Sequence, residues 1–158
     1  MNNRYNTKTS FFGQLRTGCA NEELAIRYIR MTDFVHLHVH SHYSLLDGLS
    51  QIKPLVKVAK AKGCTALALT DYGSMYGAIE FYQACKNSGI KPILGFEAYI
   101  APKSRFSTDS EKDKDPYHLV LIAKNYNGYR NFMKLISLGH LEGFFNGKPR
   151  IDKELLKK

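Results

Sequence analysis

The sequence contains no run of about 18 apolar residues, so a membrane-spanning helix is not expected. Its first residues, MNNRYNTKTSFFGQLRTG, are partly basic but hold no apolar stretch long enough for a secretory signal. Cysteine is scarce: Cys19, Cys64 and Cys85 are odd in number and widely spaced. That spacing argues against a disulfide framework or a zinc knuckle and makes a reducing cytoplasm the expected compartment. No segment repeats. A dense Lys/Arg run is also missing, although the net charge is +9. Such a charge fits a phosphate-bearing partner, and lysines scattered over a solvated surface account for it equally well.

What remains is an ordinary globular composition, 44% hydrophobic and 23% charged, in 158 residues. That length suits one domain with a sizeable core. Residues 1–32 read as an irregular extension, with one short helix over 21–31 capped by Asn21. From Asp33 the pattern turns regular. FVHLHVH alternates, with Val35, Leu37 and Val39 on one face and His36, His38 and His40 on the other, which predicts a strand. SQIKPLVKVAKAKG predicts a helix, with Ser50 as cap and Gly63 as stop. TALALT (65–70) reads as a strand buried on both faces. A second helix is expected over 74–88, with Ile79, Tyr82 and Cys85 inward and Gly89 ending it. KPILGFEAYI (91–100) and HLVLIA (118–123) are further strands, separated by a polar surface loop over 103–116. NGYRNFMKLISLG predicts a helix ending at Gly139. EGFFNGKPR predicts a hairpin or loop, and IDKELLKK starts a helix capped by Asp152. Strands alternating with helices predict an α/β fold with a mainly parallel sheet or barrel.

The chemistry gathers in HLHVHSHYSLLDG, residues 36–48, which holds four of the six histidines. Sites in α/β folds collect at the C-terminal ends of strands. Three such ends carry ligand-type side chains: His38 and His40, then Asp71 in ALALTDYG, then Glu97 in ILGFEAYI. Two histidines at i and i+2 on one strand face point into the same space. Imidazoles and carboxylates converging from separate strands suit a divalent metal. Asp47 sits in the following loop and either folds back over the rim or serves a turn. Asp71 is a ligand candidate or a helix cap. Glu97 stands out because an unpaired buried glutamate is rare. His36 reads as structural, His42 as exposed and His140 as surface.

Three blocks carry a family resemblance: FVHLHVHSHYSLLDG, ALTDYGSMYGAIEFYQACKNSGIKPILGFEAYIAP, and HLVLIAKNYNGYRNFMKLIS with GKPRIDKELL. From about residue 33 to 158 the sequence resembles the N-terminal PHP (polymerase and histidinol phosphatase) domain of the bacterial DNA polymerase III alpha-subunit family. The resemblance implies a distorted, TIM-like βα barrel, of which residues 33–158 would be the first part, incomplete at the C-terminus. It implies His38, His40, Asp47, Glu97 and His118 as ligands of a divalent metal (Zn, Mn or Mg). Asp71 and Tyr72 would stand behind them as supports. Tyr72 departs from the family's Thr-Asp-His-Gly motif, and a phenol with a pKa near 10 is a poor ligand.

The implied activity is phosphoester hydrolysis, including 3′–5′ exonuclease action, or a purely structural role. The parent would be a nucleotidyltransferase performing DNA-directed DNA synthesis in replication. Its partners would be DNA, deoxynucleotides and other replicase subunits, with no membrane, in the cytoplasm. This part would lack the polymerase active site. A free-standing PHP-family phosphoesterase is the alternative.

Overall fold

A computed structural model describes residues 34–109, 111, 113 and 115–157. The helix expected over 21–31 lies outside them. The described residues form a mixed α/β sheet with helices packed on it. The elements in chain order are α1 (Ile52–Ala61), β1 (Ala66–Leu69), α2 (Ala78–Ser88), β2 (Lys91–Ile100) and β3 (Tyr117–Ile122). They continue with α3 (Tyr126–Glu142), β4 (Phe144–Phe145), β5 (Lys148–Ile151) and α4 (Lys153–Leu156).

Strand β2 is the spine. Its residues 91–94 pair in parallel with β1, and 95–100 pair antiparallel with β3. Its last two residues, Tyr99 and Ile100, pair in parallel with β5. β4 and β5 form the expected hairpin, closed by Asn146 and Gly147 at φ +48° and +75°. Two successive left-handed residues give the two-residue turn whose twist matches that of the strands.

One core lies between α1, α2 and β1, where Ile52, Val56, Leu67, Leu69, Phe81 and Cys85 are buried together. The second packs α3 and α4 on one face of β2, through Phe96, Ala98, Ile100, Phe132, Ile151 and Leu155. Alternation along a strand leaves the other face of β2 to Glu97 and Tyr99.

Several local expectations are corrected. FVHLHVH is extended, but it is not a regular strand. It touches the neighbouring segment through Ala68 N–H to His36 O (2.9 Å) and Thr70 N–H to Val39 O (2.8 Å). Two residues on one side are matched by three on the other, so the register slips. Thr70 Oγ1 then accepts from Val39 N (2.9 Å) and donates to Val39 O (3.1 Å), a side-chain bond in place of a ladder bond. Gln51, not Ser50, holds the cap position of α1 and makes no side-chain cap bond. The carbonyl of Ser50 instead accepts the N–H of His42 at 3.0 Å.

Helix α2 starts at Ala78, and its buried stripe is Ala78, Phe81 and Cys85. Ile79 and Tyr82 are exposed. Fully buried Phe81 fixes the rotation of the helix, and each neighbouring position turns about 100° away from it. Helix α3 runs past Gly139, which stays buried inside it. A Cβ there would sit 3.3 Å from Ile151 Cγ2 and in ordinary contact with the carbonyls of Pro149 and Arg150, so Gly139 is a packed position inside the helix and not its stop. Asp152 caps α4 as expected, accepting from Leu155 N at 3.1 Å.

The polar loop before β3 is not simply solvated. Arg150 reaches under it from β5 and is only 1% exposed. Its guanidinium donates to the carbonyls of Ser107 (2.7 Å), Gly143 (3.1 Å), Arg105 (3.3 Å) and Asp113 (3.4 Å). Arg105 adds an outer clamp, bonding Glu142 at 2.7 Å and Asp152 at 2.9 Å.

Candidate metal centre

The sheet register assembles the site. Beyond β1 the chain stays in parallel contact with β2: Glu97 N–H donates to Asp71 O (2.9 Å) and Gly73 N–H to Glu97 O (2.8 Å). Tyr72 thereby lies beside Glu97. On the other edge, His118 is paired with Tyr99 and Val120 with Glu97. Glu97, Tyr99, Tyr72 and His118 therefore share one face. His118 opens β3, but β3 runs antiparallel, so its start lies at the same end of the sheet as the end of β2.

Glu97 is the hub. Its side chain is 5% exposed and meets three imidazoles. His38 Nε2 contacts Oε2, His40 Nε2 lies 2.7 Å from the same oxygen, and His118 Nδ1 lies 2.7 Å from Oε1. Burial alone would push this carboxyl up. The hydrogen bonds from His38, His118 and His40 outweigh burial and hold it below the usual glutamate range. The cluster is open on one side, since His38 and His118 side chains are 54% and 42% exposed.

Asp71 does not join this group, nor does it cap α2. It is 1% exposed and accepts from Ser41 N (2.6 Å), Ser41 Oγ (2.8 Å) and Ser44 Oγ (2.7 Å). Ser44 Oγ in turn accepts from Tyr72 N at 3.1 Å. Asp71 thus ties the turn after His40 to the end of β1. Ser41 and Ser44 had no signal in the sequence beyond their place in HSHYS. Asp47 is exposed, and its N–H is spent on Ser44 O at 3.0 Å. It does not enter the tight donor group. His42 is half-buried against Tyr43, with rings 4.3 Å apart, and not exposed as expected. Its Nδ1 is buried without a partner among the described residues. His36 packs edge-on against Phe34, and exposed His140 lies within α3, its ring stacked on that of Phe144.

An aromatic wall borders the cluster. Tyr72 lies 4.1 Å from the His40 ring and 5.4 Å from His118, and it stacks on Tyr99 at 5.8 Å. Burial, then the charges of Glu97 and Asp47, raise the Tyr72 phenol. Burial, then Asp47, raise that of Tyr99. Tyr99 went unnoticed in the sequence because it reads as one more apolar residue of its strand.

Among the described residues, His38, His40 and Glu97 form a group whose donor atoms all lie within 4.8 Å of one another. Imidazole nitrogen and carboxylate oxygen brought from separate segments are a donor set that fits a divalent ion. No helix among the described residues is long and apolar enough to cross a membrane.

The PHP domain family matches residues 36–158. The chain is 51% identical over 126 residues to the DNA polymerase III subunit alpha of Borreliella burgdorferi. That alignment covers 79% of this chain and 11% of the relative. It is 53% identical over 124 residues to the same subunit of Treponema pallidum, covering 78% and 10%. The chain thus spans about a tenth of the length of these relatives. Among solved structures, an amidohydrolase from Chromobacterium violaceum matches at TM-score 0.46 and 22% identity. The match covers 64% of this chain and 32% of that one. The chain belongs to the PHP domain family.

Proposed function

We propose that this PHP-family chain is the metal-binding, phosphoester-hydrolysing part of a DNA polymerase III alpha subunit. The observation that carries the reading is the convergence of His38, His40 and His118 on one buried carboxylate, Glu97. Half-identity to polymerase subunits supports the parent's role in DNA-directed DNA synthesis. DNA, deoxynucleotides and other replicase subunits would then be its partners, in the cytoplasm. Residues 33–158 would be the PHP portion and residues 1–32 an extension.

In this reading His38, His40 and Glu97 hold a divalent ion (Zn, Mn or Mg), with His118 and Asp47 completing its surroundings. Bound there, the ion would supply Lewis acidity toward a phosphoryl oxygen and acidify water. The chain's own residues do the positioning. Asp71, through Ser41 and Ser44, fixes the turn after His40. Glu97 orients three imidazoles at once. The Tyr72 phenol stays protonated beside them, in a position to donate a hydrogen bond.

A second reading has its own observation. The three imidazoles already satisfy Glu97, so its carboxylate needs no ion and the cluster can serve as a structural clasp. One experiment separates the two. Metal content is measured by elemental analysis on the chain and on His38→Ala/His40→Ala, followed by hydrolysis of a labelled single-stranded oligonucleotide with Mn or Zn added. Stoichiometric metal lost in the variant, with 3′–5′ trimming by the parent chain, supports the hydrolase. Absence of metal and trimming from both leaves the structural clasp.

A further inference from the structure

We propose that Tyr72, Tyr99 and Lys148 form a subsite that holds the non-bridging oxygens of a phosphoryl group beside the His38–His40–Glu97 cluster. The proposal rests on the hydrolase reading for the identity of the occupant, and on separate residues for the site itself. The register places Tyr72 next to Glu97 and Tyr99 two residues further along the same face. Their rings stack at 5.8 Å with planes 13° apart, which holds each phenol in a fixed direction. Both side chains are half-buried, and neither hydroxyl has a hydrogen-bond partner among the described residues. The Tyr72 ring lies 4.1 Å from that of His40, and both tyrosine rings meet that of His118 edge-on, so both phenols border the cluster. Lys148 opens β5 just after the hairpin turn, and its Nζ lies 5.8 Å from the Tyr99 ring centroid. It forms no ion pair among the described residues.

Two phenols and an ammonium are donors with no acceptor among the described residues. A phosphoryl group is the reverse, offering acceptor oxygens only. Glu97 opposes an anion at this place as long as its charge is uncompensated. A divalent ion in the neighbouring donor set removes that opposition. Anion binding is therefore coupled to metal binding, and the coupling is reciprocal.

The test uses the full chain, with inorganic phosphate as probe and titration calorimetry as readout, with and without saturating Mn. Tyr72→Phe and Tyr99→Phe keep the rings and remove only the hydroxyls; Lys148→Met keeps the stem. Circular dichroism confirms that each variant is folded. Wild type should bind phosphate more tightly with Mn than without it. Each variant should lose about tenfold in phosphate affinity, as for a lost bond to a charged group, with the Mn stoichiometry unchanged. Unchanged phosphate affinity in all three variants would overturn the subsite. Should wild type bind no Mn, the metal reading fails by itself. The subsite then stands if phosphate binds and the three variants weaken it, and falls if phosphate does not bind. Competition against bound phosphate, by thymidine monophosphate and by a short single-stranded oligonucleotide, separates a monoester from a diester occupant. Competition by neither removes the nucleic-acid assignment.

Discussion

Replacing Arg150 should unfasten the loop ahead of β3 before it harms either core. The guanidinium is 1% exposed and donates to four carbonyls, three of them in the loop segment 105–113. Burial pulls its pKa down, and the charge of Asp113 offsets part of that cost. Its carbon also sits 4.7 Å over the Phe145 ring. Arg150→Met leaves the carbonyls of Arg105, Ser107, Asp113 and Gly143 without this donor. Each orphaned buried acceptor costs about 1–3 kcal/mol, but the loop can open to water and recover part of it. Two such acceptors left dry set the expected cost of the variant at about 2–6 kcal/mol. Arg150→Lys keeps the charge and loses the fork, so about half that loss is expected. Urea unfolding measures the stability change, and hydrogen exchange shows where it falls. Amides of the 103–116 segment should lose protection first, ahead of those in β2. A cost below about 1 kcal/mol, with the loop still protected, would show that Ser107 and Asp113 hold the loop without help from beneath.

Three further substitutions and one labelling experiment probe other parts. Gly95→Ala would place a Cβ 2.4 Å from the Leu121 carbonyl, so the β2–β3 pair must spread. About 2–3 kcal/mol should be lost by urea unfolding, and a loss under about 0.5 kcal/mol would mean the pair yields freely. Burial pushes the Asp152 carboxyl up, but bonds from Arg105 and Leu155 more than reverse this and leave it lowered. Its stabilisation is therefore present above about pH 4 and is lost as pH falls through the lowered value. Asp152→Asn should be less stable near neutrality and converge with wild type in acid; parallel stability curves from pH 2 to 7 would contradict this. Asp71→Asn exchanges a carboxylate accepting three bonds for a single acceptor oxygen. Metal affinity should fall about 10–100-fold by calorimetry, and no change would remove Asp71 from the support of His38 and His40. Cys85 is fully buried and its thiol is pushed up to about 11 by burial. It should react with a thiol reagent only after unfolding, and rapid native-state labelling would reveal opening of α2.

The parts of this molecule that could be read from the sequence are those set by near neighbours along the chain. A ten-residue apolar strand announces itself, and Glu97 is conspicuous because one charge interrupts it. His38 and His40 share a face because they stand two apart in an extended segment, and that holds even though the segment is not a regular strand. The Asn146-Gly147 turn and the Asp152 cap follow from what those residues do with their own backbones. What stayed hidden depends on partners distant in sequence. Thr70 takes the Val39 bonds from 31 residues away, and Asp71 holds Ser41 from 30. Arg150 and Asp113 are separated by 37 residues, each in a stretch whose polarity reads as surface. The rotation of α2 has a related reason: Ile79, Tyr82 and Phe81 are all apolar enough to face inward, and only packing against Ile52 and Val56 of α1 and Leu67 and Leu69 of β1 selects Phe81. Periodicity locates a face, but it is blind to which polar group will cross the fold to meet another. The donor set around Glu97 was accessible because its apolar surroundings make charge costly, whereas the bracing behind it is polar within polar loops.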